Sequence, residues 1–342
     1  MDYQTQVFFA LTFALSFVLT FILIPVFCRS LGKYLKDIPT ALKNHEGIVP
    51  LVGGISIMFG FLASLTVIRF ITNFPTGTLH NLRGIFLGVV IIFILGLIDD
   101  IRKPKGLSAV VRLIFQALAA GCLIYFNVKI QFVPEPWGTI LTVLWVCGLT
   151  NAFNLLDIQD GLATSQTLLA SLAFLFISLP SENIYVNFLA CAITGATLAF
   201  WPYNHGLGKI KSFLGDSGST MLGFVLSALA LGVDYSAQNP LAVFAPLLIL
   251  ALPIFDTIYV SIVRLSKHMS PLHGSPDHVA LRLFRRGLTK KQVLLYLFLG
   301  ALILDVLAYT VTKSNLMVTV VIYLFVFIFI TVFASFLREK VK

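Results

Sequence analysis

Charged side chains are scarce in this sequence: Asp, Glu, Lys and Arg make up only 11% of the 342 residues, and just 15 of them are acidic. A soluble domain of this length needs far more polar surface, so water-facing globular folds are excluded. Cysteine is sparse as well. Cys28, Cys122, Cys147 and Cys191 stand alone in apolar runs, without the C-x-x-C spacing of a metal or redox pair, and read as packing residues. A cleaved signal peptide is also missing from the pattern. The residues ahead of the first apolar run include Asp2 and no Lys or Arg, and no A-x-A site follows, so this run is expected to stay in the protein. No internal repeat is visible.

Apolar residues fill the space. They form 58% of the chain, with Phe alone occurring 31 times, the composition of an all-α polytopic membrane protein. Apolar stretches of roughly 20 residues, enough to cross a bilayer, read at 5–28, 50–71, 83–98, 107–126, 137–153, 162–180, 184–203, 217–233, 241–263, 292–311 and 315–336. The weakest is 137–153, and the distribution of Lys and Arg decides whether it counts. With eleven spans and the N-terminus outside, 19 of the 24 basic residues face the cytoplasm and four face out. Deleting the short span inverts everything after it and leaves 8 inside against 15 outside. The positive-inside rule therefore favours eleven spans with the C-terminus cytoplasmic. The net charge of +9 comes from those cytoplasmic loops, which suits anionic lipid or phosphate substrates rather than nucleic acid. The chain reads as a single transmembrane domain, 1–342, whose chemistry lies on the cytoplasmic segments 29–50, 99–106, 151–161, 204–219 and 264–291.

Against this apolar background the polar exceptions carry information, because ionisable groups within membrane spans are costly. The run NAFNLLDIQDG, 151–161, places Asn151, Asn154, Asp157 and Asp160 at a spacing of three. On a helix that spacing stacks them along one face, and their hard oxygens suit a divalent cation carrying a phosphate ester. The third span ends in GLIDDIRKPKG, 96–106, where Asp99 and Asp100 repel each other unless cations such as Arg102, Lys103 or Lys105 attend them. FLGDSGSTMLGF, 213–224, sets Asp216 at the start of a span near the positive end of a helix dipole, with Ser217 and Ser219 as alternative caps.

The loop DIPTALKNHEGIVPLVGG, 37–54, holds Lys43 and His45 as phosphate partners. In the ninth span Asp256 is expected to pair with a basic residue or an amide of another span. Asp305 has no partner legible in sequence. The most basic loop, 264–291, is expected to form an amphipathic helix over 277–286 lying at the interface, with Arg282, Arg285 and Arg286 facing headgroups or phosphate.

Taken together, and in this order, these motifs resemble the polyprenyl-phosphate N-acetylhexosamine-1-phosphate transferase family (glycosyltransferase 4), which holds undecaprenyl-phosphate GlcNAc-1-phosphate transferase and phospho-MurNAc-pentapeptide transferase. Two departures stand out. Where the family has D-G-x-D-G, this chain has Asp157-Ile158-Gln159-Asp160-Gly161. Where it shows H-x-H-H-R, this chain has His278-Val279-Ala280-Leu281-Arg282. The second difference argues against the MurNAc-pentapeptide branch and for the GlcNAc-1-phosphate type.

The resemblance implies transfer of a sugar-1-phosphate from a UDP-amino sugar to a polyprenyl phosphate at the inner face of the plasma membrane, with release of UMP. Two anionic substrates would meet beside as many as five carboxylates, and each like-charge pair at about 4 Å costs on the order of 4 kcal/mol at an effective dielectric near 20. Mg²⁺, with Mn²⁺ as the alternative, is expected to offset that repulsion. Carried over residue by residue, Asn154 and Asp216 become cation ligands, and Asp99 or Asp100 orients or deprotonates the lipid phosphate. Asp157 and Asp160 hold the nucleotide and the cation's shell, while Lys43, His45, Lys103, Asn151, His278 and Arg282 contact substrate. A homodimer is compatible with the short outer loops. The competing class is a cation-coupled lipid or solute transporter, disfavoured by the lack of repeats and by the placement of most carboxylates at span ends.

Overall fold

A computed structural model of the chain describes residues 3–37, 47–72, 76–103, 105–180, 184–270 and 277–338. It is predominantly helical, with one minimal antiparallel hairpin among the described residues, and it divides into two compact units, Met1–Val233 and Asp234–Lys342.

The N-terminal unit holds α1 (Tyr3–Ser30), the hairpin strands β1 (Lys36–Asp37) and β2 (Val49–Pro50), α2 (Gly53–Ile71), α3 (Thr76–Ile101), α4 (Ala109–Tyr125), α5 (Trp137–Leu156), α6 (Leu162–Ser178), α7 (Ile184–His205) and α8 (Gly215–Gly232). The C-terminal unit holds a 3-10 turn (Pro240–Phe244), α9 (Ala245–Ile249), α10 (Ala251–Ser266), α11 (Val279–Arg285), α12 (Lys290–Lys313) and α13 (Leu316–Leu337).

Each of the eleven apolar stretches has a helical counterpart. Among the described residues seven helices are long and apolar enough to cross a membrane, or eight with Pro240–Ile249 and Ala251–Ser266, bent by 72°, taken as one span. The stretch at 137–153 is among the seven because its helix runs on to Leu156. Three shorter or more polar helices, α4, α6 and α8, account for the remainder.

In the N-terminal unit α7 and α8 form the buried centre, with α8 enclosed along nearly its whole length. Small residues let the helices approach closely, the usual solution where lipid removes the hydrophobic drive between helices. A Cβ on Gly54 of α2 would lie 2.4 Å from the Gly218 nitrogen of α8, and one on Gly96 of α3 2.5 Å from the Cα of Ser217. Gly223 of α8 lies equally tight against Leu149 and Thr150 of α5. The strand at 50 and the segment before α8 are also stitched together: the Phe213 amide donates to Pro50, and the Gly53 and Gly54 amides donate to Phe213 and Leu214. These crossings bring the ends of α3 and α5 to the N-terminus of α8.

Candidate active site

The N-terminus of α8 is capped from another helix. Asp100, in the last turn of α3, accepts hydrogen bonds from the Asp216 amide (2.9 Å), the Ser217 amide (2.9 Å) and the Ser217 hydroxyl (2.8 Å). It thereby satisfies amides that a helix start leaves without intrahelical partners. Capping by Ser217 or Ser219 from within α8 is not what the structure uses: the Ser219 hydroxyl donates to the Gly215 carbonyl. Gly215 has φ +75°, and a Cβ there would press on the Asp100 carboxylate at 2.7 Å.

Asp216 projects from this anchored turn into a shared polar network. Lys103 Nζ lies 2.8 Å from Asp100 Oδ1 and 3.3 Å from Asp216 Oδ2. The Asn154 amide nitrogen donates to Asp216 Oδ1 and to the Ser219 hydroxyl, both at 3.1 Å. Three helices thus meet at one carboxylate. Burial alone would lower the pKa of Lys103, but the Asp216 and Asp100 carboxylates outweigh it and push the pKa up, so the side chain is an ammonium.

The expectation that Asn151, Asn154, Asp157 and Asp160 share one helix face holds only for the two amides. α5 ends at Leu156, with Asp157 at its C-cap and Asp160 in the following turn, which closes through Gly161 at φ +83°. The turn redistributes the roles. Asn151 exchanges hydrogen bonds with Gln116 of α4 (2.7 and 3.3 Å), locking α4 to α5. Asp160 pairs with Lys211 at 2.6 Å. Asp157 stays among the acids: burial first, then the nearby Asp216, Asp160 and Asp100 carboxylates raise its pKa well above the usual carboxylate range, with Lys103 opposing them.

Asp99 faces the other way from its neighbour. Its carboxylate accepts from the Leu107 amide at 2.5 Å and pairs with Arg112 of α4 at 3.1 Å, while Arg112 also donates to the Leu107 carbonyl. The anticipated repulsion between Asp99 and Asp100 is relieved by divergence, each carboxylate finding its own cation. Arg112, Gln116 and Lys211 went unassigned in the sequence. A signal for two of them existed: Ser108, Arg112 and Gln116 recur every four residues in an otherwise apolar stretch, one polar stripe on one helix.

In the C-terminal unit, Asp256 of α10 accepts from His278 Nδ1 and from the Val279 amide, both at 2.7 Å. It pairs with the histidine and amide that open α11 rather than with a group of another span. Asp277 receives Lys267 (2.9 Å) and Arg282 (2.8 Å), and Arg282 also donates to the Leu337 carbonyl. The helix expected over 277–286 is shorter, Val279–Arg285, and its Arg282 is turned inward, only 4% exposed, rather than laid on a headgroup surface. Asp305 of α12 is buried, and neither of its carboxyl oxygens has a hydrogen-bond partner among the described residues. Lys43 and His45 lie outside the described residues.

The donor set can be tested for a divalent ion. Among the described residues no three of His, Cys, Asp and Glu converge as a complete ligand group. What converges is a carboxylate, Asp216, and an amide, Asn154, both of whose hydrogen bonds here are made through nitrogen, so that its oxygen is the atom offered to a cation. One or two protein oxygens completed by phosphate and water is how Mg²⁺ is commonly held, in contrast to an all-protein cage. The residues fit an ion that arrives with its phosphates.

Known proteins resemble this chain in sequence. A family profile described as glycosyl transferase family 4 matches residues 82–234. The probable undecaprenyl-phosphate N-acetylglucosaminyl 1-phosphate transferase of Bacillus subtilis (strain 168) is 30% identical over 292 residues, 82% of this chain and 78% of that protein. This chain belongs to glycosyl transferase family 4. The undecaprenyl-phosphate alpha-N-acetylglucosaminyl 1-phosphate transferases of Escherichia coli (strain K12) and Salmonella typhi are 29% and 28% identical, over 81% and 82% of this chain and 77% of each relative. The family 4 profile runs from within α3 to just past α8. That stretch carries Asp99, Asp100, Asn151, Asn154, Asp157, Asp160 and Asp216.

Proposed function

We propose that this protein transfers N-acetylglucosamine-1-phosphate from UDP-GlcNAc to undecaprenyl phosphate or a similar polyprenyl phosphate, releasing UMP, at the cytoplasmic face of the plasma membrane. The product is a lipid-linked diphosphate sugar, the starting point of an envelope glycan. The observation that carries this reading is the Asp100–Lys103–Asp216–Asn154 network at the meeting of α3, α5 and α8. The names of the relatives support the same chemistry.

In this reading a lipid phosphate oxygen attacks the sugar-bearing phosphorus of the donor, the bond to the bridging oxygen breaks, and UMP departs with that oxygen. A phosphate monoester has a second pKa of about 6, so the nucleophile is already mostly dianionic at neutral pH. Holding two anions in line is then the main task, and proton removal the smaller one. Lys103 meets phosphate, and Asp100 fixes both Lys103 and the start of α8. Asp99, held by Arg112, orders the segment between α3 and α4 beside the lipid phosphate. Asp157 and Asp160 would hold the nucleotide and the surroundings of a bound cation, and Asn151, locked to Gln116, keeps α5 in register for Asn154.

Mg²⁺ or Mn²⁺ on Asp216 and the Asn154 oxygen would supply positive charge to the diphosphate and its leaving oxygen. Lys43, His45 and His278 are assigned to phosphate by the family resemblance. Arg282, engaged by Asp277 and Leu337, orders the segment that carries His278.

The test is UMP release by purified protein from UDP-GlcNAc, UDP-GalNAc and UDP-MurNAc-pentapeptide, with and without polyprenyl phosphate. Release from UDP-GlcNAc that requires the lipid supports the reading. Near parent rates in Asp99→Asn, Asp100→Asn and Asp216→Asn together would refute the site.

A further inference from the structure

We infer that Lys103 is a built-in counter-cation that competes with the divalent ion for Asp216 and is drawn off by substrate phosphate, so that cation and diphosphate bind cooperatively. This rests on the reading of Asp216 as a cation ligand.

The two contacts of Lys103 are unequal. Asp100 is an immobile anchor: its side chain is fully enclosed and already accepts two amides and a hydroxyl from the start of α8. The bond to it is short, 2.8 Å. The Asp216 side chain is 25% exposed, and the ammonium sits 3.3 Å from its Oδ2. Lys103 is therefore tethered at Asp100, with its second contact the longer and more accessible one. The other Asp216 oxygen is engaged by the Asn154 amide. A divalent ion that takes Asp216 must displace the ammonium from Oδ2 or sit beside a fixed positive charge. Either costs affinity, because like charges a few ångströms apart repel strongly in a partly desolvated site.

A phosphate entering with the ion removes the conflict, since it offers Lys103 a new anion within reach of its flexible stem. The coupling is reciprocal: a diphosphate tightens the cation by the factor the cation tightens the diphosphate. Bare cation binding is weak by construction, and Lys103 keeps the acid cluster neutralised between turnovers.

The experiment is Mn²⁺ binding to the purified full chain in detergent, read by electron paramagnetic resonance, with and without UDP, the Mn²⁺–UDP complex in buffer being subtracted. Without UDP, Lys103→Met is expected to bind Mn²⁺ about tenfold or more tightly than the parent. Lys103→Arg, which keeps the charge, should match the parent. UDP should tighten Mn²⁺ strongly in the parent and little in Lys103→Met. Equal or weaker Mn²⁺ binding in Lys103→Met, while Asp216→Asn abolishes binding, overturns the counter-cation role. Parent-like binding in Asp216→Asn overturns instead the reading of Asp216 as the ligand, and this inference with it. If Lys103→Met does not melt as a folded protein, the parent alone decides: absence of tightening by UDP contradicts the coupling.

Discussion

Two charge clusters, one in each unit, solve the problem of ionisable groups in an apolar chain in opposite ways. In the C-terminal unit, Asp256 and Asp277 are buried and met by His278, Lys267 and Arg282, with a backbone amide added to Asp256. Acid is matched by base. In the N-terminal unit, Asp100, Asp157, Asp160 and Asp216 are met, among the described residues, by Lys103 and Lys211, and burial together with the neighbouring carboxylates drives the pKa of Asp157 upward. A balanced, enclosed cluster is self-sufficient and serves to hold helices and loops. An acid-rich one with partly exposed carboxylates keeps unmatched negative charge, as the proposed cation-assisted site requires.

The sharpest break of this comparison comes from Asp277→Ala. It strands Arg282 in a buried position, and losing one partner of a buried pair costs about 3–5 kcal/mol. A fall in melting temperature of several degrees is expected, and any fall in UMP release should accompany that loss of stability, because Arg282 orders the segment that carries His278. Lost turnover without lost stability would move this cluster into the catalytic class. Asp216→Asn should do the reverse: turnover drops by about 10²–10³, the usual cost of removing one charge-stabilising group, while the melt barely moves.

Asp157→Asn sharpens the contrast through pH. The carboxyl holds its proton more tightly in the folded protein than in the unfolded chain, so its stabilisation is full below the ordinary Asp value of about 4 and is lost as pH rises through the raised one. In EDTA the Asn variant should therefore melt higher than the parent at neutral and alkaline pH, and the advantage should vanish as the solution is acidified. A constant difference across pH would contradict the acid-rich environment. The smallest effect is expected for Lys211→Met. Its pair with Asp160 is over a third exposed on both sides, and such pairs contribute less than about 1 kcal/mol. Thermal melts in low and high salt should show a shift that is small and disappears with salt.

What could be read from the sequence, and what could not, follows the same division between local and tertiary causes. Long apolar runs announced every helix except α11, and the run at 137–153 only looked short because residues 154–156 continue it as helix. Spacing put Asn154 beside the site but misplaced Asp157 and Asp160. The local signal was Gly161, which closes the turn after α5 in a left-handed conformation that other residues adopt rarely, packed against His205. The divergence of Asp99 from Asp100 had no such signal. Each carboxylate is turned by a partner distant in sequence, Ser217 for one and Arg112 for the other. The inward face of Arg282 likewise depends on the Leu337 carbonyl, 55 residues away.

The most direct test of the central claim is UMP release from UDP-GlcNAc by the purified chain with polyprenyl phosphate, titrated with Mg²⁺ after EDTA, in the parent and in Asp216→Asn. Release in the parent that needs both the lipid and the cation, and is nearly abolished in the variant, is the predicted result. Parent-like release in Asp216→Asn, or release undiminished by EDTA, would contradict it.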